Sequence, residues 1–97
     1  MASLIVSYPR HDGASFDADY YQKNHVPLVR KAWTQHGMTD VEAFFAADDG
    51  QPYAAVVVVK FRDADAVDAA LGSSGTADLQ ADVARFTDIE PVLYRAG

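Results

Sequence analysis

The ten residues YAAVVVVKFR, at positions 53–62, decide the fold. Valines fill the centre, and the turn-forming run DDGQP at 48–52 precedes them, a combination that predicts a strand. Side chains alternate between the two faces of a strand. One face here receives Tyr53, Ala55, Val57, Val59 and Phe61, and the other receives Ala54, Val56 and Val58. Both are apolar, as expected of a strand at the centre of a sheet with both faces covered.

Working outward, MTDVEAFFAA at 38–47 sets Val41, Ala43 and Phe45 on one face and reads as a second strand. SLIVSY at 3–8 is another, ended by Pro9 and followed by the turn-rich loop RHDGAS at 10–15. DIEPVLYR at 88–95 is the last strand, and Pro91 places it at an edge or a bulge. Ser15 or Asp17 can cap a helix that runs to about His36, where Gly37 stops it. Asp63 can cap a short helix over 64–71, with Gly72 as its end. SSGT at 73–76 reads as a loop, and ADLQADVARF at 77–86 as a short helix facing inward with Leu79, Val83 and Phe86.

The order strand, helix, strand, strand, helix, strand is the split pattern of an α+β, ferredoxin-like βαββαβ domain, expected to span residues 1–97. Its helices cover only one face of a four-stranded sheet. Apolar surface gains about 25 cal/mol per Å² on burial. The bare face therefore predicts a homodimer with sheets packed face to face.

Composition narrows the function classes. The formal charge is −6, and the eight basic residues are scattered without a stripe, so nucleic acid is not an expected partner. The longest apolar run, AAVVVV at 54–59, is too short to span a bilayer, and no membrane role is expected. No charged segment followed by an apolar one opens the sequence, so no secretory signal is expected. Cysteine is absent, which removes disulfides and thiolate zinc sites and suits a reducing cytoplasm, the expected location. No HxxxH pair, facial triad or calcium loop occurs, and neither a metal nor a bound cofactor is expected. GSSG at 72–75 lacks the lysine of a phosphate loop, and no serine is set beside a His/Asp pair as a hydrolase would need.

The chemistry concentrates in FDADYYQKNHVPLVRKAW, residues 16–33. At ~100° per residue, Tyr21, Leu28, Val29, Ala32 and His36 fall within roughly 60° of His25. His25 is then near the middle of the buried face. Tyr20 falls on the opposite side and is left out of the candidate site. Pro27 has no N–H for the carbonyl of Lys23 and disfavours helical angles at Val26, so a kink near His25, or two helices abutting there, is expected. His25 has two readings. It can be a proton-transfer group, lined by Tyr21, Trp33, Val29 and Tyr8. It can equally be a core histidine whose ring bonds the carbonyl freed by Pro27. The aromatic residues share that ambiguity between pocket wall and core. His36 lies about 16 Å along the helix from His25, too far to share a proton or metal. His11 and Asp12 fit a solvated turn.

The motifs YP at 8–9, FDADYYQKNHVPLV at 16–29, Gly37, and DVARFTD at 82–88 resemble the EthD family of the dimeric α+β barrel superfamily, across essentially the whole chain. The resemblance implies the fold and dimerisation most firmly. The family takes its name from a protein linked to ethyl tert-butyl ether degradation. Related dimeric α+β barrels look like cofactor-free oxygenases, isomerases, or decarboxylases and cyclases of aromatic polyketides, with a pocket between sheet and helices. Carried onto this chain, the pocket-facing position is His25. The expected function is a small-molecule enzyme, oxygenase-like and without a cofactor, acting on a hydrophobic aromatic or ketone-bearing compound. The alternative is a non-catalytic protein that binds a hydrophobic ligand or serves as an accessory factor. The enzyme needs His25 on an open pocket with a polar partner orienting its ring, whereas the binding protein needs only an apolar cavity.

Overall fold

Four strands form one antiparallel sheet in a computed structural model that describes residues 1–97. They are β1 (Ala2–Pro9), β2 (Met38–Phe45), β3 (Tyr53–Phe61) and β4 (Val92–Ala96). Their order across the sheet is β2-β3-β1-β4. The valine-rich β3 is central, as its two apolar faces require, and this is the ferredoxin-like α+β arrangement. β4 is an edge strand and begins at Val92. Pro91 therefore stands just outside the ladder, where its missing N–H costs nothing, and the strand is shorter than the 88–95 read from the sequence.

The register sorts the side chains. Leu4 pairs with Val59, Val6 with Val57, and Val41 with Val59, so these residues share the helix-covered face. Leu4, Val57, Val59 and Phe61 are buried there. On the other face Ile5 pairs with Val58 and Tyr94, and Phe44 pairs with Val56. Nothing covers that face: Phe44, Val92 and Tyr94 are 51%, 52% and 64% exposed.

The first helix departs from a regular shape at Pro27. It is α-helical over Ala18–Tyr20, makes a π-turn over Tyr21–His25, resumes as α-helix over Val26–Trp33 and closes with a 3₁₀ turn over Thr34–His36. The Val26 N–H bonds the Tyr21 carbonyl, five residues back, and Val26 keeps helical angles (φ −60°, ψ −47°). The irregularity expected near His25 is present, although Val26 itself stays helical. It takes the form of one wide turn: with no N–H at Pro27, the extra residue relieves the clash between the proline ring and the preceding turn. Asp17, rather than Ser15, caps this helix by accepting the Tyr20 N–H at 3.0 Å.

Helix Ala64–Leu71 is capped by Asp63, whose Oδ1 accepts the Ala66 N–H at 2.8 Å. A second helix, Ser74–Val83, follows almost at once, so most of the SSGT segment is helical rather than a loop. Tertiary packing decides this. A Cβ on Gly75 would lie 2.8 Å from the Ala32 Cβ, so glycine lets this helix close on the first one. No helix is long and apolar enough to cross a membrane.

Gly37 joins the first helix to β2 in the left-handed region (φ 102°), and a Cβ there would meet the Ala66 Cβ at 2.7 Å. Gly37→Ala therefore combines backbone strain with a steric clash and should lower stability by about 1–3 kcal/mol, read as a drop in the urea midpoint with unchanged slope.

Candidate functional site

Sheet and helices do not close fully on one another. Between them lies a cavity of about 760 Å³. Val6, Val41, Val57 and Val59 form its floor on the sheet, and Val29, Trp33, Leu79 and Val83 form its helical wall. The lining residues that are themselves exposed, among them Gln80, Ala84, Asp88 and Glu90, mark its mouth. His25, Tyr8, Trp33 and Val29 all line this space.

His25 is buried yet hydrogen-bonded. Its Nδ1 lies 2.9 Å from Oδ2 of Asp82, in the last turn of helix Ser74–Val83. The other carboxylate oxygen accepts the Tyr20 hydroxyl at 2.8 Å. Tyr20 thus belongs to the site, contrary to the helical count. That count sets it about 140° from His25 on a regular helix. In a π-turn the fifth residue, rather than the fourth, stacks over the first, and Tyr20 and His25 are five apart. The ring of His25 is also held by packing, with Phe86 at 4.7 Å and Tyr21 at 4.9 Å between centroids.

The electrostatics fix the proton. Burial pushes Asp82 up, but hydrogen bonds from His25 and Tyr20 outweigh it and hold the carboxyl below its usual range. An ionised carboxylate only accepts, so neutral His25 carries its proton on Nδ1. Nε2 is then the free, basic nitrogen. It has no protein partner and is not a sealed, unsatisfied atom, so it reaches the cavity that His25 lines. Burial lowers the His25 pKa from 6.5, partly offset by the Asp82 hydrogen bond and charge. The ring is therefore neutral near pH 7.

Tyr8 is 2% exposed, and burial raises its hydroxyl to about 12, so it stays a protonated donor. Tyr21 does not reach the cavity. It stands behind the wall, interacting with the Tyr8 hydroxyl, and burial raises its own pKa strongly. Tyr21 packs against the rings of Tyr8 and His25. Trp33 donates its Nε1–H to Thr76 Oγ1 at 2.9 Å, which leaves the indole as an apolar wall. His11 is exposed beside the turn, 3.6 Å from Asp88. Two links tie the segment before the first helix to the chain just beyond Asp82: Ser15 N–H to Asp88 at 3.0 Å, and Asp17 N–H to the Phe86 carbonyl at 2.8 Å. They hold His25 and Asp82 in register. No group of three or more His, Cys, Asp or Glu residues could hold a metal ion.

The EthD domain family matches residues 11–90, which contain both His25 and Asp82. This chain belongs to the EthD family. Among solved structures, an EthD-like protein from Ralstonia eutropha JMP134 is 27% identical over 98% of this chain and 88% of its own, with a TM-score of 0.81. An EthD family protein from Bacillus halodurans C-125 is 16% identical over 95% of this chain and 96% of its own, at 0.65. SnoaB, a cofactor-independent oxygenase from Streptomyces nogalater, shares the fold at 13% identity over 96% of this chain and 89% of its own, also at 0.65. No curated protein matches the chain.

Sequence reasoning missed Asp82 in this EthD protein. One signal was present: an acidic residue in the last turn of a helix opposes the helix dipole, which favours cations there. Tyr20, His25 and Arg85 (3.8 Å) compensate it.

The linkage has a definite sign. The folded His25 pKa lies below its unfolded value, so the unfolded chain takes up the proton first and stability falls as pH drops below about 6.5. The depressed Asp82 pKa adds a loss that sets in below about 4. Urea midpoints should therefore fall monotonically from pH 7 to pH 4. Asp82→Asn removes the group that raises the His25 pKa, and NMR titration should find the ring titrating at lower pH still.

Proposed function

We propose that this protein is a small-molecule enzyme that works without a bound cofactor, with His25 as general base toward a hydrophobic aromatic or ketone-bearing compound. The observation that carries this reading is the Asp82–His25 pair at 2.9 Å, set on a largely apolar cavity with Nε2 free. A carrier of hydrophobic ligands needs the cavity alone and gives no task to an oriented, neutral imidazole. Nε2 takes a proton from a phenol or from a C–H flanked by carbonyl or aryl groups. Asp82 stabilises the imidazolium that forms. Tyr8 donates to the oxygen on which negative charge develops.

The resulting enolate or carbanion has a choice of fates. Likeness in fold to SnoaB favours reaction with O₂. The carbanion gives one electron to O₂, the radical pair joins as a C–O bond, and the imidazolium returns its proton to give a hydroperoxide. Loss of water from that hydroperoxide leaves a ketone, so one CH₂ becomes C=O and the second oxygen atom leaves as water. Every electron comes from the substrate.

The working unit is a homodimer. The bare face with Ile5, Phe44, Val56, Val58, Val92 and Tyr94 is a contiguous apolar patch of the kind that pairs. Sedimentation at micromolar concentration should give twice the 10.5 kDa chain mass, and Val58→Lys should shift it to one chain.

The reaction is tested with a panel of anthrones, phenols and β-dicarbonyls. At least one compound should raise the melting temperature of the wild type and consume O₂, or exchange its acidic C–H in D₂O. His25→Ala should lower that rate by about 10²–10⁴-fold. Turnover unchanged in His25→Ala would remove His25 from the mechanism.

A further inference from the structure

We propose that the cavity selects uncharged aromatic ligands over their carboxylates, and that Glu90 at its mouth enforces the choice. This rests on the cavity being the ligand site and goes further by naming the ligand's charge. None of the twenty residues lining the cavity is a lysine or an arginine, while Asp88 and Glu90 both line it. Two arginines close to lining residues in sequence are committed elsewhere. Arg95 is paired with Asp68 at 2.8 Å, and Arg85 leans on Asp82 from outside, with a largely exposed side chain. Asp88 Oδ1 accepts the Ser15 N–H at 3.0 Å and has His11 3.6 Å away. Glu90 takes part in none of the ion pairs of the molecule, so its charge acts on whatever passes the mouth.

Beneath the mouth, His25 is no substitute for a cation. Its Nδ1 proton is engaged by Asp82, and burial keeps the ring neutral. A carboxylate entering the cavity loses hydration, finds no positive partner, and meets the charges of Asp82, Asp88 and Glu90. An uncharged phenol, ketone, quinone or amide meets only what it can use. Nε2 accepts from a ligand O–H, the Tyr8 hydroxyl donates to a ligand carbonyl, and valines and Trp33 cover the rings. The overall charge of −6 acts in the same direction at longer range.

The test compares 2-naphthamide with 2-naphthoate, which match in size and shape and differ in charge at pH 7.5. Trp33 is the only tryptophan and lines the cavity, so quenching of its fluorescence reports binding directly. The amide should bind about tenfold tighter or more than the carboxylate in the wild type. The gap should narrow about threefold in Glu90→Gln, whose exposed position leaves folding intact, and it should shrink as salt is raised. A carboxylate that binds as tightly as the amide, or a gap unchanged in Glu90→Gln, overturns the proposal. If that happens while O₂ consumption or C–H exchange still depends on His25, the reading of the site survives and only the charge rule falls. Quenching by neither compound overturns the cavity as a naphthyl-sized site, and the charge rule with it.

Discussion

Pro27 has no N–H, and the site follows from that single omission. A regular helix would set the proline ring against the carbonyl of Lys23. Widening the preceding turn to Tyr21–His25 avoids this without breaking the helix. The wider turn also changes which side chains share a face. Tyr20 and His25, far apart on a regular helix, converge on the two oxygens of Asp82. Proline here thus sets register. It brings an imidazole, a phenol and a carboxylate together without any of the three being neighbours in the pattern of a regular helix.

The second constraint comes from the sheet. β3 is apolar on both sides because it sits in the middle, and the helices take only one side. On that side the filling is incomplete. Small and β-branched residues line the floor, while Trp33 and Leu79 hold the helices off it, which leaves the cavity. The other side is left bare. Fold, cavity and proposed dimer are therefore consequences of one distribution of valines, and the chemistry comes from the helix laid across it.

The strand order was legible because alternation and turn residues act locally: DDGQP between two apolar runs forces a hairpin whatever surrounds it. The caps at Asp17 and Asp63 were legible for the same reason. The SSGT segment was not, since its helicity depends on Gly75 meeting Ala32, a contact 43 residues away in sequence. The site divides along the same line. His25 and Val29 could be named from face counting and the motif, and Tyr8 and Trp33 as aromatic residues near them; all four line the cavity. Asp82 and Tyr20 could not be named, because the link between them depends on packing between two helices and on a π-turn that a count of 100° per residue does not contain. Tyr21 is buried on the expected face but is not among the residues lining the cavity.

The most direct measurement is ¹⁵N NMR of the His25 ring at neutral pH, which distinguishes the two neutral tautomers. A proton on Nδ1 with Nε2 bare is the expected result, because an ionised Asp82 can only accept. A proton on Nε2, or a ring still charged at pH 7.5, would contradict the pairing with Asp82 and leave the cavity without a base.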